Sequence, residues 1–308
     1  MQGKAVSIVV PVYNSQDTLL ELYERVAKVM RERTTPFEFV FVDDFSQDDS
    51  WEVLKKIKHA APEPIKLIRL AKNFGQHNAT LCGFRHVSSE YVVTMDDDLQ
   101  HCPEDLPLLF DKIESTGADV VYGISKVKQS AYRRLGSRIW KFGTNNFDEA
   151  LGQGSSFRLI SREIVDQLAT RQHQHFVFVD EMLYWYTEYV EQVEVQFIPR
   201  PKGKSGYTPF KLFVLAINLA VFYSSVPLKL MSIGGILLSL VTFLMGVWFV
   251  FKKVAYGVPV PGFTSLIVTV LFSTSLILIC LGVVGQYLGR IFTTLNNKPT
   301  YSIKEKSL

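Results

Sequence analysis

Tyr91-Val92-Val93-Thr94-Met95-Asp96-Asp97-Asp98-Leu99-Gln100 is the stretch on which the fold turns. An apolar run stops at three carboxylates, the pattern of a buried strand with charge crowded onto its C-terminal end. Like charges this close repel and are costly unless a cation neutralises them. Hard oxygen ligands suit Mg²⁺ or Mn²⁺, ions that keep positions open for water and substrate phosphates. A bare acidic triplet is more often a solvated turn. Its place at the end of a parallel-type strand, where α/β sheets bind ligands, favours the metal.

Outward from this stretch, the first 125 residues alternate strand and helix. Ala5–Val10 and Phe37–Val42 are apolar runs. Between them, Asp17 to Arg33 carries Leu19, Leu20, Tyr23, Val26 and Val29 at helical spacing, with Ser15 as the expected cap. Ser46-Gln47-Asp48-Asp49 caps a second helix, Ser50–His59, before the strand Ile65–Leu70. Gln76–Val87 reads as a third helix and Pro103 to Thr116 as a fourth, with Val120-Val121-Tyr122 as a further strand. This order predicts a mostly parallel sheet covered by helices on both faces. Farther on, Arg133–Phe142 and Asp180–Tyr189 read as helices, Ser156–Ile160 and Val193–Ile198 as strands.

The rest of the chain is different in character. Met231 to Phe251 is 21 residues without a charge, and Phe263 to Leu288 is 26. Each is long enough to cross a hydrocarbon core as a helix. Gly234, Gly235, Gly246, Gly282, Gly285 and Gly289 are tolerated in such helices and permit close contacts between them, so a homo-oligomer is expected. Lys211 and Lys229 precede the first span, and Arg290, Lys298, Lys304 and Lys306 follow the second. That bias places both ends in the cytoplasm, although Lys252 and Lys253 lie in the connecting loop. The expected organisation is a cytosolic domain over residues 1–207, an interfacial amphipathic segment over 208–230, two transmembrane helices within 231–289 (231–251 and 263–288) and a cytoplasmic tail over 290–308.

Composition narrows the partners. A net charge of +3 over 308 residues gives no reason to expect nucleic acid. The three cysteines, Cys82, Cys102 and Cys280, are scattered without metal spacing, which argues against a disulfide framework. Val6–Val10 is too short for a signal peptide, and Pro11 ends it.

Two more turns belong with the acidic stretch. Pro11-Val12-Tyr13-Asn14 closes the first strand and Val42-Asp43-Asp44-Phe45-Ser46 the second, so all three cap the same sheet edge. Nucleotide binding there needs an acceptor for a base N–H, which Asp43 or Asp44 can supply. It also needs a counter-charge for the diphosphate, which a metal on Asp96 and Asp98 can supply. Farther on, Lys126, Lys128, Arg133, Arg134 and Arg138 lie together, with Arg133 and Ser137 on one helical face. A guanidinium fork and a hydroxyl are suited to holding a phosphate.

Val9-Val10-Pro11-Val12-Tyr13-Asn14, Phe41-Val42-Asp43-Asp44-Phe45-Ser46, Lys72-Asn73-Phe74-Gly75 and Met95-Asp96-Asp97-Asp98-Leu99-Gln100 resemble the signature blocks of family 2 glycosyltransferases with a GT-A fold. Within that family the chain is similar to the membrane-anchored polyprenyl-phosphate glycosyltransferases, a group that includes dolichol-phosphate mannose synthase and bactoprenol glucosyltransferase. The resemblance implies a Rossmann-like sheet, a nucleotide-sugar donor, a polyprenyl phosphate acceptor such as undecaprenyl phosphate, and the bacterial inner membrane. It makes Asp96 and Asp98 the ends of a DxD motif, with Gln100 as a third contact to Mg²⁺ or Mn²⁺. Pro11, Tyr13, Asp43, Asp44 and Lys72 fall where the family contacts the nucleoside. Asp97, the middle position, either touches nucleotide or faces outward.

The resemblance also puts the phosphate-binding Arg and Ser at Arg133 and Ser137, with Lys126 and Arg134 beside them. Lys204 and Tyr207 fall in a loop resembling the family's site-closing element. One block departs from the pattern. Gln153-Gly154-Ser155-Ser156-Phe157-Arg158-Leu159 stands where relatives carry an acid, which leaves Asp180 or Glu181 as substitutes for any general base. The expected activity is inverting transfer of one sugar from a nucleotide diphosphate, with Asp98, Asp180 and Arg133 at the reacting centre. Two rivals are a processive polysaccharide synthase and a non-catalytic scaffold. The first needs more spans and an Arg-Trp dipeptide that this sequence lacks.

Overall fold

The computed structural model describes residues 4–125, 155–170, 178–198, 262–295 and 299–308, with scattered positions between 231 and 255. The chain divides into two units, Met1–Lys204 with Asn297–Leu308, and Ser205–Asn296.

The first unit is built on one eight-stranded sheet. Its strands are β1 (Val6–Val12), β2 (Phe37–Asp43), β3 (Ile65–Leu70), β4 (Tyr91–Thr94), β5 (Val120–Ser125), β6 (Arg158–Ser161), β7 (Val190–Val195) and β8 (Ile303–Ser307). They lie in the order β7-β5-β6-β4-β1-β2-β3-β8. β1 pairs in parallel with β2 and β4, and β2 with β3, in the register Val6↔Phe37, Val6↔Tyr91 and Phe39↔Ile65. β5 pairs in parallel with β7, whereas β6 runs antiparallel to both β4 and β5, and β8 antiparallel to β3. The mostly parallel reading therefore holds for β1 to β4 and for β5 with β7, and is corrected at β6 and β8, which run antiparallel to their neighbours. A run of apolar residues marks a buried strand but carries no information on its direction.

Helices α1 (Leu19–Glu32), α2 (Ser50–Ala60), α3 (Gln76–Phe84), α4 (Leu106–Thr116), α5 (Arg162–Thr170) and α6 (Val179–Leu183) cover the sheet, with a 3₁₀ turn at Pro103–Asp105. β1 is buried along its whole length, as expected of a strand covered on both faces. Val6, Ile8, Val10 and Val12 pack with Leu22, Val26, Trp51 and Leu54, while Val9 packs with Ala79, Cys82 and Phe84. Phe39 and Phe41 stack at 5.1 Å beneath α1 and α2, and their full burial is worth about 2–3 kcal/mol each. Gly83 lets α3 lie directly on β1, because a Cβ there would collide with Val9.

Several boundaries move. Ser15 is not the cap of α1: Thr18 occupies that position, and the Ser15 hydroxyl instead donates to Asp97. The third helix ends at Phe84 rather than Val87, and the helix expected over Asp180–Tyr189 is the five-residue α6. The strand expected at Val193–Ile198 is β7, which starts at Val190. α5 was not among the expected helices, although its buried Ile164, Val165 and Leu168 fall at helical spacing, whereas β8 has no buried face to announce it. The expected helix Arg133–Phe142 lies outside the described residues.

In the second unit, α7 (Phe263–Leu295) has 33 residues and contains the expected span 263–288. Its window Phe272–Gly289 has a mean hydropathy of 1.6 and none of it is buried, so by length and composition it can cross a bilayer. Every described position between 231 and 255 is helical, and Leu237, Leu244 and Trp248 are exposed. Among the described residues α7 alone is continuous enough to pass as a span.

Candidate donor-binding cleft

The turns after β1, β2 and β4 meet at the carboxyl edge of the sheet, and each holds a non-glycine residue in the left-handed region: Asn14 (φ 53°), Phe45 (φ 64°) and Leu99 (φ 59°). Such conformations cost about 1 kcal/mol or more and persist where surrounding contacts over-determine them. Here the turns are laced to each other. Asp44 N–H donates to Val12 O (2.8 Å), Asn14 N–H to Ser46 Oγ (3.0 Å) and Gln47 N–H to Asn14 Oδ1 (2.8 Å). The turn after β3 joins them through Gly75, whose φ of 89° suits glycine.

A cleft of about 290 Å³ opens between these turns, lined by Pro11, Val12, Tyr13, Asp44, Asn73, Gly75, Gln76, Asp96, Asp97 and Asp98. Of the expected donor residues, Pro11, Tyr13, Asp44, Asp96 and Asp97 line it. Asp43 and Lys72 do not. Asp43 is fully buried, ion-paired with Arg69 Nε at 3.0 Å, and accepts the Ser46 N–H at 3.0 Å. Asp43 thus braces the turn, whereas Asp44 lines the cleft. Lys72 is exposed, with its ammonium 5.0 Å from the Phe74 ring centroid.

The carboxylates are held differently. Asp44 accepts the N–H groups of Phe74 and Gly75, both at 2.7 Å, yet burial pushes its carboxyl up to about 6. Asp97 accepts Tyr13 N–H (2.9 Å) and the Ser15 hydroxyl (2.5 Å), and its own carbonyl accepts the Thr18 hydroxyl (2.5 Å). Burial raises it too, to about 6. Its side chain therefore ties the β4 turn to the β1 turn. Asp96 accepts from Gln76 Nε2 and from Ser156 Oγ, the latter at 2.5 Å. Asp98 accepts both the backbone N–H (3.1 Å) and the Nε2 (2.7 Å) of Gln100. Gln100, expected as a metal contact, here orients Asp98.

Asp96 and Asp98 offer to the cleft the hard oxygens that Mg²⁺ and Mn²⁺ prefer. No group of three or more His, Cys, Asp or Glu side chains forms a metal cage among the described residues. A two-carboxylate set fits an ion that completes its shell with water and phosphate oxygens, as Mg²⁺ does.

Beneath the cleft a polar chain that the sequence did not reveal runs inward. Thr94 Oγ1 donates to Ser156 O (2.6 Å), Arg158 Nε donates to Thr94 Oγ1 (3.0 Å), and Arg158 Nη1 pairs with Asp180. Asp180 is thus engaged by a fully buried guanidinium, an arrangement suited to holding structure and poor for accepting a substrate proton. Glu181 is also buried, and desolvation raises its carboxyl to about 7. His77 is pushed down to about 4 by burial, and its Nδ1 accepts the Val179 N–H at 3.4 Å. Ser156 stands within the block that departs from the expected acidic pattern, the one signal that could have singled it out. Lys126, Arg133, Arg134, Ser137, Lys204 and Tyr207 lie outside the described residues.

The sheet and cleft define an α/β domain with its candidate site at the carboxyl edge, and the comparisons name its class. The description glycosyl transferase family 2 matches residues 7–175, more than half of the chain. The chain belongs to that family and, within it, to the polyprenyl-phosphate glycosyltransferases. It is 31% identical to an undecaprenyl-phosphate 4-deoxy-4-formamido-L-arabinose transferase of Klebsiella pneumoniae, over 98% of this chain and 93% of that one. It is 30% identical to a prophage-derived bactoprenol glucosyl transferase of Shigella flexneri, over 97% of each. In fold it is similar to glucosyl-3-phosphoglycerate synthase from Mycobacterium tuberculosis, solved with Mn²⁺, UDP-glucose and phosphoglyceric acid (TM-score 0.54, 15% identity, 71% of this chain and 78% of that one).

Proposed function

We propose that this glycosyltransferase moves a single sugar from a nucleotide diphosphate, read as a UDP-sugar, to undecaprenyl phosphate at the cytoplasmic face of the bacterial inner membrane. The observation that carries the reading is Asp44, Asp96 and Asp98 lining one cleft in a chain that also bears a 33-residue apolar helix, with no buried residue in its Phe272–Gly289 window. The relatives' names support the acceptor, and the Mn²⁺ and UDP-glucose of the structural neighbour support the donor and ion.

Asp44, which lines the cleft, would accept an N–H from the base, and the ring of Tyr13, 47% exposed there, would stack on it. Asp96 and Asp98 would hold Mg²⁺ or Mn²⁺, which when bound neutralises charge on the departing diphosphate. An oxygen of the lipid phosphate attacks the anomeric carbon as the bond to the diphosphate oxygen breaks, releasing nucleoside diphosphate and inverting that centre. A phosphate dianion has no proton to lose, so the Asp180–Arg158 pair is no obstacle. Arg133 and Ser137, with Lys126, Arg134, Lys204 and Tyr207, are proposed to hold the acceptor phosphate. The two-span, multi-pass topology with both termini cytoplasmic, and assembly as a homo-oligomer, belong to the same proposal. Holding two substrates from different phases in one geometry is a large part of the rate gain.

Membranes carrying the protein, incubated with labelled UDP-sugars and undecaprenyl phosphate, should yield a lipid bearing one sugar. A polymer would point to a processive synthase, and the absence of any product across donors would refute the activity.

A further inference from the structure

After Lys204 the chain leaves the catalytic unit, and it rejoins that unit at Asn297, beyond the apolar helix. β8 then lies along β3 with Leu67↔Ser307, Ile68↔Lys306 and Arg69↔Glu305 opposite each other. All five β8 residues are exposed and three are charged, so apolar burial does not account for its seat. It closes an edge that would otherwise present unpaired backbone groups. Further hydrogen bonds fix its position as well. Arg85 Nη1 donates to Tyr301 Oη (2.8 Å), Ala71 N–H donates to Ser302 O (2.8 Å), and Lys58 Nζ donates to Ser307 O (2.8 Å).

The contact that matters for the cleft is Lys304. Its ammonium lies 5.7 Å from the ring centroid of Phe45, the left-handed residue directly after Asp44. From the other direction, Arg69 pairs with Asp43 and donates to Ser46 O (3.2 Å), and Arg69 is the residue opposite Glu305. The β3–β8 pair thus holds the strained Asp43–Ser46 turn at Asp43, Phe45 and Ser46. A strained backbone keeps its shape only while neighbours hold it.

We propose that β8 is a working part of the donor site: a strap whose Lys304, through Phe45, keeps the turn bearing Asp44 in its nucleotide-accepting shape. Lys304 is therefore a positioning residue for donor binding. The proposal rests on the reading of the cleft as a donor site.

The test is UDP binding to the full-length protein in detergent with Mn²⁺, by titration calorimetry at pH 7.5, alongside transfer kinetics. Lys304→Ala should weaken UDP about three- to fivefold and raise the donor KM equally, with kcat and melting temperature unchanged. Lys304→Arg keeps a cation over the ring and should bind UDP as the parent does. Deleting residues 300–308 should weaken UDP by about tenfold or more if the protein folds; if it does not, the two point variants decide. Parent-like UDP affinity in Lys304→Ala, or equal losses in the Ala and Arg variants, would overturn the strap while leaving the donor reading intact. Failure of the parent itself to bind UDP would overturn both.

Discussion

The two edges of the sheet treat buried negative charge in opposite ways. At the amino edge, Glu38 accepts from Ser7 Oγ (2.5 Å) and from Ser88 N–H and Oγ (both 2.7 Å), and it pairs with Lys66 at 2.8 Å. Burial alone would raise its carboxyl, but these donors outweigh burial and hold it below the usual range. At the carboxyl edge, Asp44 and Asp97 are both pushed up to about 6 despite their hydrogen bonds. One edge is neutralised from within and serves stability. The other gathers Asp44, Asp96, Asp97 and Asp98 at one cleft, where the cation of the proposed function would relieve their charge.

The sharpest way to break this contrast is Asp98→Asn. It should lower transfer by about a thousandfold, the scale of lost charge stabilisation at a departing diphosphate, while the melting temperature holds or rises. Retained turnover in calorimetrically intact protein would sink the cation reading. At the other edge, Glu38→Gln should cost about 2–3 kcal/mol in urea unfolding, because Lys66 and the serine donors lose a charged acceptor. Its kcat/KM per folded molecule should not move; a loss of activity at full stability would erase the distinction between the edges.

Ser156→Ala removes the hydroxyl from Asp96 and should weaken Mn²⁺, read by calorimetry without donor, by about tenfold. Equal Mn²⁺ affinity in the two proteins would show that Ser156 only links β6 to β4. The smallest expected effect concerns pH. Asp44 must be ionised to accept from both backbone N–H groups and from a base. Its folded value is raised, so its protonation favours the folded state below about pH 4 and that contribution disappears as pH rises through about 6. Donor binding runs the other way. UDP-glucose, whose diphosphate stays ionised over this range, should bind about fourfold more weakly at pH 5.5 than at pH 7. A flat profile would mean that Asp44 faces the donor without contacting it.

Much of the N-terminal half was legible in the chain. Apolar runs gave β1 to β4, and the spacing of Leu19, Tyr23 and Val26 gave α1, because burial of one face imposes a local period. β8 was invisible for the converse reason. Ile303-Lys304-Glu305-Lys306-Ser307 has no buried face, and it is a strand only because β3 offers an edge. The direction of β6 was equally hidden, since pairing sense is set by a partner far away in sequence.

The aspartates mark where reading along the chain ends. From Tyr13, Asp43, Asp44 and Asp96–Asp98 the sequence established the family, the sheet edge and the kind of chemistry. Their individual duties were fixed by folding: Asp43 to Arg69, Asp44 to the cleft, Asp97 to the β1 turn, Asp180 to Arg158. A side chain's hydrogen-bond partner depends on which turns meet in space, and Tyr13 and Asp97 meet across 84 residues. Local periodicity reaches one turn of helix or a few residues of strand, and that distance lies beyond it.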